Sequence, residues 1–425
     1  MTGLKAPNDP KSSPSIAANH SGGVTSVMEG SMAVAQAVKA CHPAVISAYP
    51  ITPQTHIVEF LAQMVADGEL KTQYVRVDSE FSAASVIGGA SATGVRAYTA
   101  SSSQGLLLMT EVIYYLAGTR LPVVITGANR GVSAPISLQP EHQDSQSLRD
   151  SGIIQIYVES AQEAYDAHIQ AFKIAEDHRV LLPVMICMDG YILTHVFETV
   201  TTYDQTAIDN FLPAYDPLHY LSPERPMTFG TIADENNALE FHYLLQEAMQ
   251  NAKKVIEEVA QNYGNTFGYY HGGLIDCYKT DDAEVILVAM GSTVSTLREA
   301  VDLLRLEGLK VGLVQVRCFR PFPDEELCQA VKGASAVAVL DRALSMGSQG
   351  ILAVEVKAAL YNAPHRPLVL GELAGYGGRE VTLEVARTIV ERARQALESG
   401  IVTPLVDFVG LKPEILDSTR LGNGI

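Results

Sequence analysis

The chain has 425 residues, and 30 Lys plus Arg against 48 Asp plus Glu leave a formal net charge of −18. That acid excess, with no basic cluster, excludes a binder of phosphate backbones, whose affinity comes from clustered Lys and Arg. At 47% hydrophobic and 18% charged residues, the chain can bury a large core and lies far from the composition of disordered segments.

Residues 1–23 are rich in Pro, Ser, Asn and Gly without periodicity, and read as an N-terminal arm. The first 30 residues lack the continuous apolar core of a signal peptide, and the longest apolar runs fall short of the ~20 residues a bilayer span needs. A cytoplasmic location is expected. From 24 to 202, short apolar runs alternate with helical or loop sequence: VISAYP ending at Pro50, then YVRVD (74–78), AYTASS (97–102), PVVITGAN (122–129), IIQIYV (153–158) and LLPVMICMD (181–189). This alternation predicts an α/β domain on a parallel sheet, with ligands expected beyond the carboxyl ends of the strands. Residues 203–280 read as a proline-rich, aromatic linker containing one helix over 235–264. A second α/β unit is expected over 281–390, with strands VILVAMGS (285–292), VGLVQVRCF (311–319), AVAVLD (336–341) and PLVLGEL (367–373) and a helix over 293–307. Residues 391–425 read as helix and tail.

Four strand-end constellations could carry chemistry. In Tyr49-Pro50-Ile51-Thr52-Pro53, two prolines fix the backbone around Thr52, whose hydroxyl then either donates to a carboxylate or caps the next helix. Asp78-Ser79-Glu80 leads into a helix of small residues, SAASVIGGASA, that lets a neighbouring helix or a cofactor approach closely. Glu80 is there either an N-cap or a functional carboxylate. Ser101-Ser102-Ser103-Gln104-Gly105 resembles a phosphate cradle but lacks the lysine of a P-loop, so mononucleotide binding is weakly supported. Arg130, after the strand PVVITGAN and ahead of Glu141-His142-Gln143-Asp144, offers a planar fork for a carboxylate substrate or makes a surface ion pair. Cys41, Cys187, Cys277, Cys318 and Cys328 form no CxxC pair, so neither a zinc site nor an iron–sulfur cluster is expected on this chain, and no metal ligand is assigned.

In this order, YPITPQT (49–55), SEFSAASVIGGASATG (79–94), SSSQGLLLM (101–109), NRGVSAPIS (129–137) and HQD followed by RDSG (149–152) resemble the alpha subunit of the 2-oxoacid:ferredoxin oxidoreductase, or pyruvate synthase, family. LDRALSMGSQG (340–350) and GYGGRE (375–380) are similar to the family's second domain and tail. The resemblance implies a thiamine-diphosphate-binding-type parallel-sheet domain, of the pyrimidine-binding kind, followed by a transketolase C-terminal-like α/β domain. It implies that Glu80 contacts the aminopyrimidine of thiamine diphosphate and exchanges a proton with its ring nitrogen. It places Thr52 and Arg130 around the substrate, and Pro50, Ser103 and Gln104 beside the cofactor. No Gly-Asp-Gly followed by a metal-ligating Asn is present, and Met188-Asp189-Gly190 is only a partial match. The implied cofactor is therefore shared with a beta-type subunit that holds Mg2+. Iron–sulfur clusters would sit on partner subunits, with gamma-type subunits and ferredoxin or a similar acceptor completing the assembly.

The implied reaction converts a 2-oxo acid and coenzyme A to acyl-CoA and carbon dioxide. Pyruvate-type relatives often carry Trp in the loop around Ser137 and in the segment matching Gly152-Ile153-Ile154, whereas this chain has no tryptophan. A bulkier branched-chain or aryl 2-oxo acid, such as phenylglyoxylate, thus competes with pyruvate. A non-oxidative thiamine-dependent transferase or decarboxylase component is the alternative enzyme, against which the YPITP and SSSQG pair speaks. A non-catalytic scaffold subunit is the other alternative, and the joint presence of Thr52, Glu80 and Arg130 counts against it.

Overall fold

The structure, a computed structural model, describes residues 23–420, so all but Gly23 of the expected arm, and the last five residues of the expected tail, lie outside the described residues. In chain order the strands are β1 (Val24–Glu29), β2 (Val45–Ala48), β3 (Gln73–Arg76), β4 (Ala97–Ser101), β5 (Val124–Asn129), β6 (Ile154–Tyr157), β7 (Val184–Asp189), β8 (Phe197–Thr202), β9 (Ile275–Tyr278), β10 (Val285–Ala289), β11 (Val311–Val316), β12 (Cys318–Arg320), β13 (Ala336–Asp341), β14 (Leu368–Leu373) and β15 (Val406–Phe408). One sheet runs β12-β6-β7-β5-β4-β2-β3 and a second runs β15-β14-β13-β10-β11-β9. Neighbours are parallel except at the edges formed by β12 and β9, and β1 pairs antiparallel with β8 as a separate ribbon.

The continuous apolar runs follow from burial on both sheet faces. Along β7, Val184, Ile186 and Met188 face a core shared with helices Gly30–Ala40, Thr55–Ala66, Ala161–Glu176 and Ala238–Phe267. Met185 and Cys187 face the other core, built with helices Glu80–Ala92 and Thr110–Gly118. That second core continues into the other sheet through Ile286, Val288, Val314 and Val316, so one apolar cluster spans both units. Each large side chain buried there contributes about 1.5–3 kcal/mol against exposure. The opposite face of the second sheet packs on helices Thr293–Leu306 and Leu383–Ser399. Among the described residues no helix is long and apolar enough to cross a membrane.

Three expectations change in detail. The run VGLVQVRCF is not one strand: it breaks at Arg317, β11 belonging to the second sheet and β12 to the first. At the break the Arg317 carbonyl accepts from the Tyr157 N–H of the first sheet at 2.7 Å, while its buried guanidinium donates to Glu163 Oε1 at 2.6 Å and to the carbonyls of Gly272 and Gly273 at 2.7 Å each. The linker helix forms over Ala238–Phe267 and stops where Gly268 adopts φ +86°, a conformation that favours glycine. Finally, helix Leu383–Ser399 runs through position 390, and β15 then extends the second sheet beside β14, so ordered sheet continues into the expected tail.

Candidate active site

Strands β2, β3, β4 and β5 are parallel, which brings the segments that follow them to one edge. After β2, Tyr49, Pro50 and Thr52 are exposed, while Gln54 is fully buried and its Nε2 donates to the carbonyls of Tyr49 at 3.1 Å and Ala100 at 2.9 Å. Gln54 thereby ties the proline-framed turn to β4. Helix Thr55–Ala66 has Gln54 at its N-cap position, so Thr52 is not a cap, and its hydroxyl lies on the exposed rim.

After β3, the cap of helix Glu80–Ala92 is Ser79, whose Oγ accepts from the Ser82 backbone N–H at 3.2 Å. Glu80 is the first residue of that helix, where the dipole favours a negative charge. Its side chain is 7% exposed and turns toward Gly105, where a Cβ would lie 2.7 Å from both its Cγ and its Oε1. The glycine of SSSQG therefore makes room for Glu80. Among the described residues the Glu80 carboxylate takes no hydrogen bond, and it acts on Arg130 through its charge. Farther along, a Cβ on Gly88 would meet Leu116 at 2.8 Å, so this helix uses its small face to press against helix Thr110–Gly118.

The serine-rich turn is not a phosphate cradle, because a protein carboxylate already fills it. The fully buried Asp144 accepts from the backbone N–H of Ser103 at 2.8 Å, of Arg130 at 3.0 Å and of Ser145 at 2.8 Å, and from Asn129 Nδ2 at 2.8 Å. Burial pushes Asp144 up, and these bonds pull it back. Ser103, also fully buried, donates to the Gly131 carbonyl at 2.6 Å and to Gln104. Ser103 therefore braces the turn, and Gln104 presents its amide oxygen to Arg130. The hydroxyls of Ser101 and Ser102 are buried without a partner.

Arg130 is 5% exposed and forms no ion pair among the described residues, which removes the surface ion-pair reading. Its Nη1 donates to the Thr52 carbonyl at 2.7 Å and its Nη2 to Gln104 Oε1 at 2.9 Å, while Nε is buried and unpartnered. Burial lowers its pKa, opposed by the charges of Asp144, Tyr191 and Glu80. Thr52, Glu80, Gln104 and Arg130 thus meet at one rim, with Pro50 beside them. Sequence reading assigned no role to Asp144 or Gln54, although HQD and YPITPQT contain them; only contacts between strand ends reveal what they hold.

Asp189 of the partial Met188-Asp189-Gly190 match lies in the seam between the sheets, where His142 Nε2 at 2.8 Å, Arg342 Nη1 at 2.7 Å and the Ser292 backbone N–H at 2.8 Å saturate its carboxylate. Nothing is left of it for a cation or a diphosphate. Of the two positions compared with tryptophan-bearing relatives, Ser137 packs against Gly131, where a Cβ would lie 3.0 Å from Ser137 Cβ, and so borders Arg130. Ile153 and Ile154 are instead core residues at the amino end of β6, on the opposite edge of the sheet. They do not line this rim.

The model of the family "Pyruvate flavodoxin/ferredoxin oxidoreductase, thiamine diP-bdg" matches residues 36–261, and that of the "Pyruvate:ferredoxin oxidoreductase core domain II" matches residues 283–386. Pyruvate synthase subunit PorA of Methanosarcina barkeri is 50% identical over 92% of this chain and 97% of its own length. Ketoisovalerate oxidoreductase subunit VorA of Pyrococcus abyssi is 42% identical over 92% of this chain and 98% of its own. Among solved structures, the 2-oxoglutarate:ferredoxin oxidoreductase of Magnetococcus marinus shares the fold at a TM-score of 0.66 and 19% identity. The alignment covers 89% of this chain and 66% of that one.

Proposed function

The chain belongs to the 2-oxoacid:ferredoxin oxidoreductase family as an alpha subunit, and from that premise we propose that it supplies one half of a thiamine diphosphate site for the oxidative decarboxylation of pyruvate with coenzyme A. The products are acetyl-CoA and carbon dioxide, and the two electrons released pass through iron–sulfur clusters on partner subunits to ferredoxin or a similar acceptor. The observation that carries this reading is Glu80: a buried carboxylate without a hydrogen bond, at a helix N-terminus, held open by Gly105 beside Arg130.

These residues fit one end of the cofactor. Glu80 would hold the aminopyrimidine and move a proton at its ring nitrogen, with Gln104 and Pro50 at the edge of the same rim. Thiamine diphosphate, when bound, supplies the carbanion-stabilising chemistry that decarboxylation needs. Arg130, with Nη1 on Thr52 and Nη2 on Gln104, is held in a fixed plane, and its charge together with the exposed Thr52 hydroxyl orients the carboxylate and carbonyl of the 2-oxo acid. Asp144 and Ser103 do not touch the reactants and keep the two loops in register. The diphosphate end finds no matching group, since Asp189 is saturated in the seam. This supports a beta-type partner carrying Mg2+ and closing over the exposed face of Tyr49, Pro50 and Thr52.

Pyruvate is favoured by the greater identity to pyruvate synthase subunits, and 2-oxoisovalerate is the second reading, from the 42% identical relative. The test is the assembled complex assayed for CoA-dependent acceptor reduction with pyruvate, 2-oxoisovalerate and phenylglyoxylate. A clear preference in kcat/KM for pyruvate is expected; absence of activity with all three would overturn the assignment.

A further inference from the structure

We propose that Glu29, His56 and His195 form a binding site for a first-row divalent cation of zinc type, separate from the cofactor rim. The three residues come from distant segments: the last residue of β1, the second residue of helix Thr55–Ala66, and the turn after β7. One ligand atom from each lies within 4.8 Å of the other two. Zinc binds carboxylate oxygen and imidazole nitrogen at about 2.0–2.2 Å, so its ligands stand up to about 4 Å apart, and small side-chain rotations bring these three into range. Two histidines and one carboxylate, with a coordination position left open, are a donor set that suits zinc.

The surroundings orient the donors. His195 Nδ1 is hydrogen-bonded to Thr194 Oγ1 at 2.7 Å, and Thr194, fully buried, also accepts from the Tyr191 backbone N–H at 2.8 Å. With Nδ1 so engaged, Nε2 is the His195 nitrogen left to ligate, in the manner of metal-bound histidines fixed through their other nitrogen. The imidazoles of His56 and His195 lie 4.4 Å apart between ring centres, and the Tyr191 ring lies 4.8 Å from that of His195. Glu29 Oε1 and His56 Nδ1 are hydrogen-bonded at 2.6 Å. A cation entering between them replaces that bond and widens the gap, which the half-exposed His56 side chain allows. The backbone beside Glu29 is held in place, because the Gly30 N–H donates to the Val196 carbonyl at 3.2 Å and a Cβ on Gly30 would lie 1.8 Å from the Leu193 carbonyl oxygen.

The cation would fasten the start of helix Thr55–Ala66 to the turn after β7. That turn already presses on the substrate side, since a Cβ on Gly190 would meet Pro53 Cγ at 2.5 Å. The ion thus braces the Tyr49–Pro53 turn from behind and takes no part in the chemistry.

The test uses the untagged full chain, stripped with chelator and titrated with ZnCl2 by calorimetry, with CoCl2 as a spectroscopic probe. The expected result is one Zn2+ per chain, proton release on binding, a tetrahedral Co2+ absorption band and a raised melting temperature. His56→Gln and His195→Gln should each weaken binding roughly 100-fold or more, and His219→Gln, in the linker, should change nothing. His56→Gln alters a half-exposed side chain, so its far-UV spectrum should match wild type. The proposal is overturned if wild type takes up no more Zn2+ than the His56→Gln/His195→Gln double variant. Wild-type activity of the complex plays no part in this readout, so failure here leaves the cofactor reading standing.

Discussion

The carboxyl edge of the first sheet and the seam between the two sheets both hold buried polar groups, yet they treat their charges in opposite ways. In the seam, Asp189 is matched by His142, Arg342 and Ser292, and Glu163 takes Arg317 Nε at 2.6 Å and the Glu159 backbone N–H at 2.7 Å. At the edge, Glu80 takes no hydrogen bond among the described residues, and Arg130 Nε and the hydroxyls of Ser101 and Ser102 are unpartnered. A buried polar group without a partner costs about 1–3 kcal/mol. In the seam the buried charges of Asp189 and Glu163 are matched, although Glu159 Oε2 and Gln315 Nε2 there lack a partner, whereas at the edge Glu80 takes no hydrogen bond and Arg130 no ion pair, a deficit that a ligand and a partner subunit can relieve. Substitutions in the two regions should therefore separate activity from stability.

The largest expected effect is on turnover at the edge. Glu80→Gln in the assembled complex should lower kcat by about 10²–10⁴-fold, the usual worth of a positioned proton-transfer group. Stability should change by at most ~1 kcal/mol, because the helix cap is Ser79 and is untouched. Hydrogen–deuterium exchange at the thiazolium carbon of bound cofactor, compared between wild type and Glu80→Gln, reads the role directly; equal exchange rates would refute it. The matching experiment in the seam is Asp189→Asn, which leaves the Arg342 guanidinium buried without its counter-charge and should cost roughly 3–5 kcal/mol in urea unfolding. Burial pushes Asp189 up, but Arg342 and His142 outweigh it and hold its carboxyl well below the ordinary range. Its folded pKa lies below its unfolded one, so its contribution is complete above about pH 4 and is lost as pH falls further. Asp189→Asn should remove that acid-side dependence, and an unchanged acid limb in the variant would return Asp189 to a neutral packing role.

The same division explains how much was legible in the sequence. Strand runs such as PVVITGAN and LLPVMICMD announce parallel strands because burial on both faces makes them continuously apolar, and the motifs YPITPQT, SEFSA and SSSQG mark the edge because it is built from contiguous strand ends. The seam was illegible: Asp189, His142, Ser292 and Arg342 are scattered over 200 positions of the chain and meet only when two sheets pack. The break at Arg317 was hidden for the same reason, since its partners Glu163, Gly272 and Gly273 lie far away in the chain. Serine-rich spacing suggested a cradle for phosphate, and the group that occupies it, Asp144, comes from 41 residues downstream of Ser103.

A smaller loss is expected at Arg130, whose substitution bears on substrate binding. Arg130→Ala should reduce kcat/KM by about 1.5–3 kcal/mol, equivalent to removing a charged hydrogen bond. Arg130→Lys should rescue poorly, because one ammonium cannot reach the Thr52 carbonyl and Gln104 in the way the guanidinium fork does. Unchanged kinetics in both variants would show that the plane formed with Thr52 and Gln104 serves packing alone.

The smallest effect is expected where the two regions touch, at Glu141. A Cβ on Gly131, beside Arg130, would lie 3.1 Å from its Oε1, and its other neighbours, Tyr376 and Gly377, come from the second unit. Burial, with a contribution from the Asp144 charge, pushes the Glu141 carboxyl up to about 7, against the pull of Tyr376 and Arg342. Here the folded pKa is raised, so between the ordinary glutamate value and about pH 7 the folded chain holds a proton that the unfolded chain has lost. Stability should therefore decline as pH rises through that window and level off above it, opposite in sign to the dependence at Asp189. Glu141→Gln keeps the shape, cannot ionise, and should flatten that slope by about 1 kcal/mol, a value reduced by solvent at the edge of the seam. Urea midpoints of wild type and variant at about pH 5 and about pH 8 decide it: parallel declines would mean that Glu141 shares the matched character of the seam, and convergence at the lower pH would place it with the deficit of the edge.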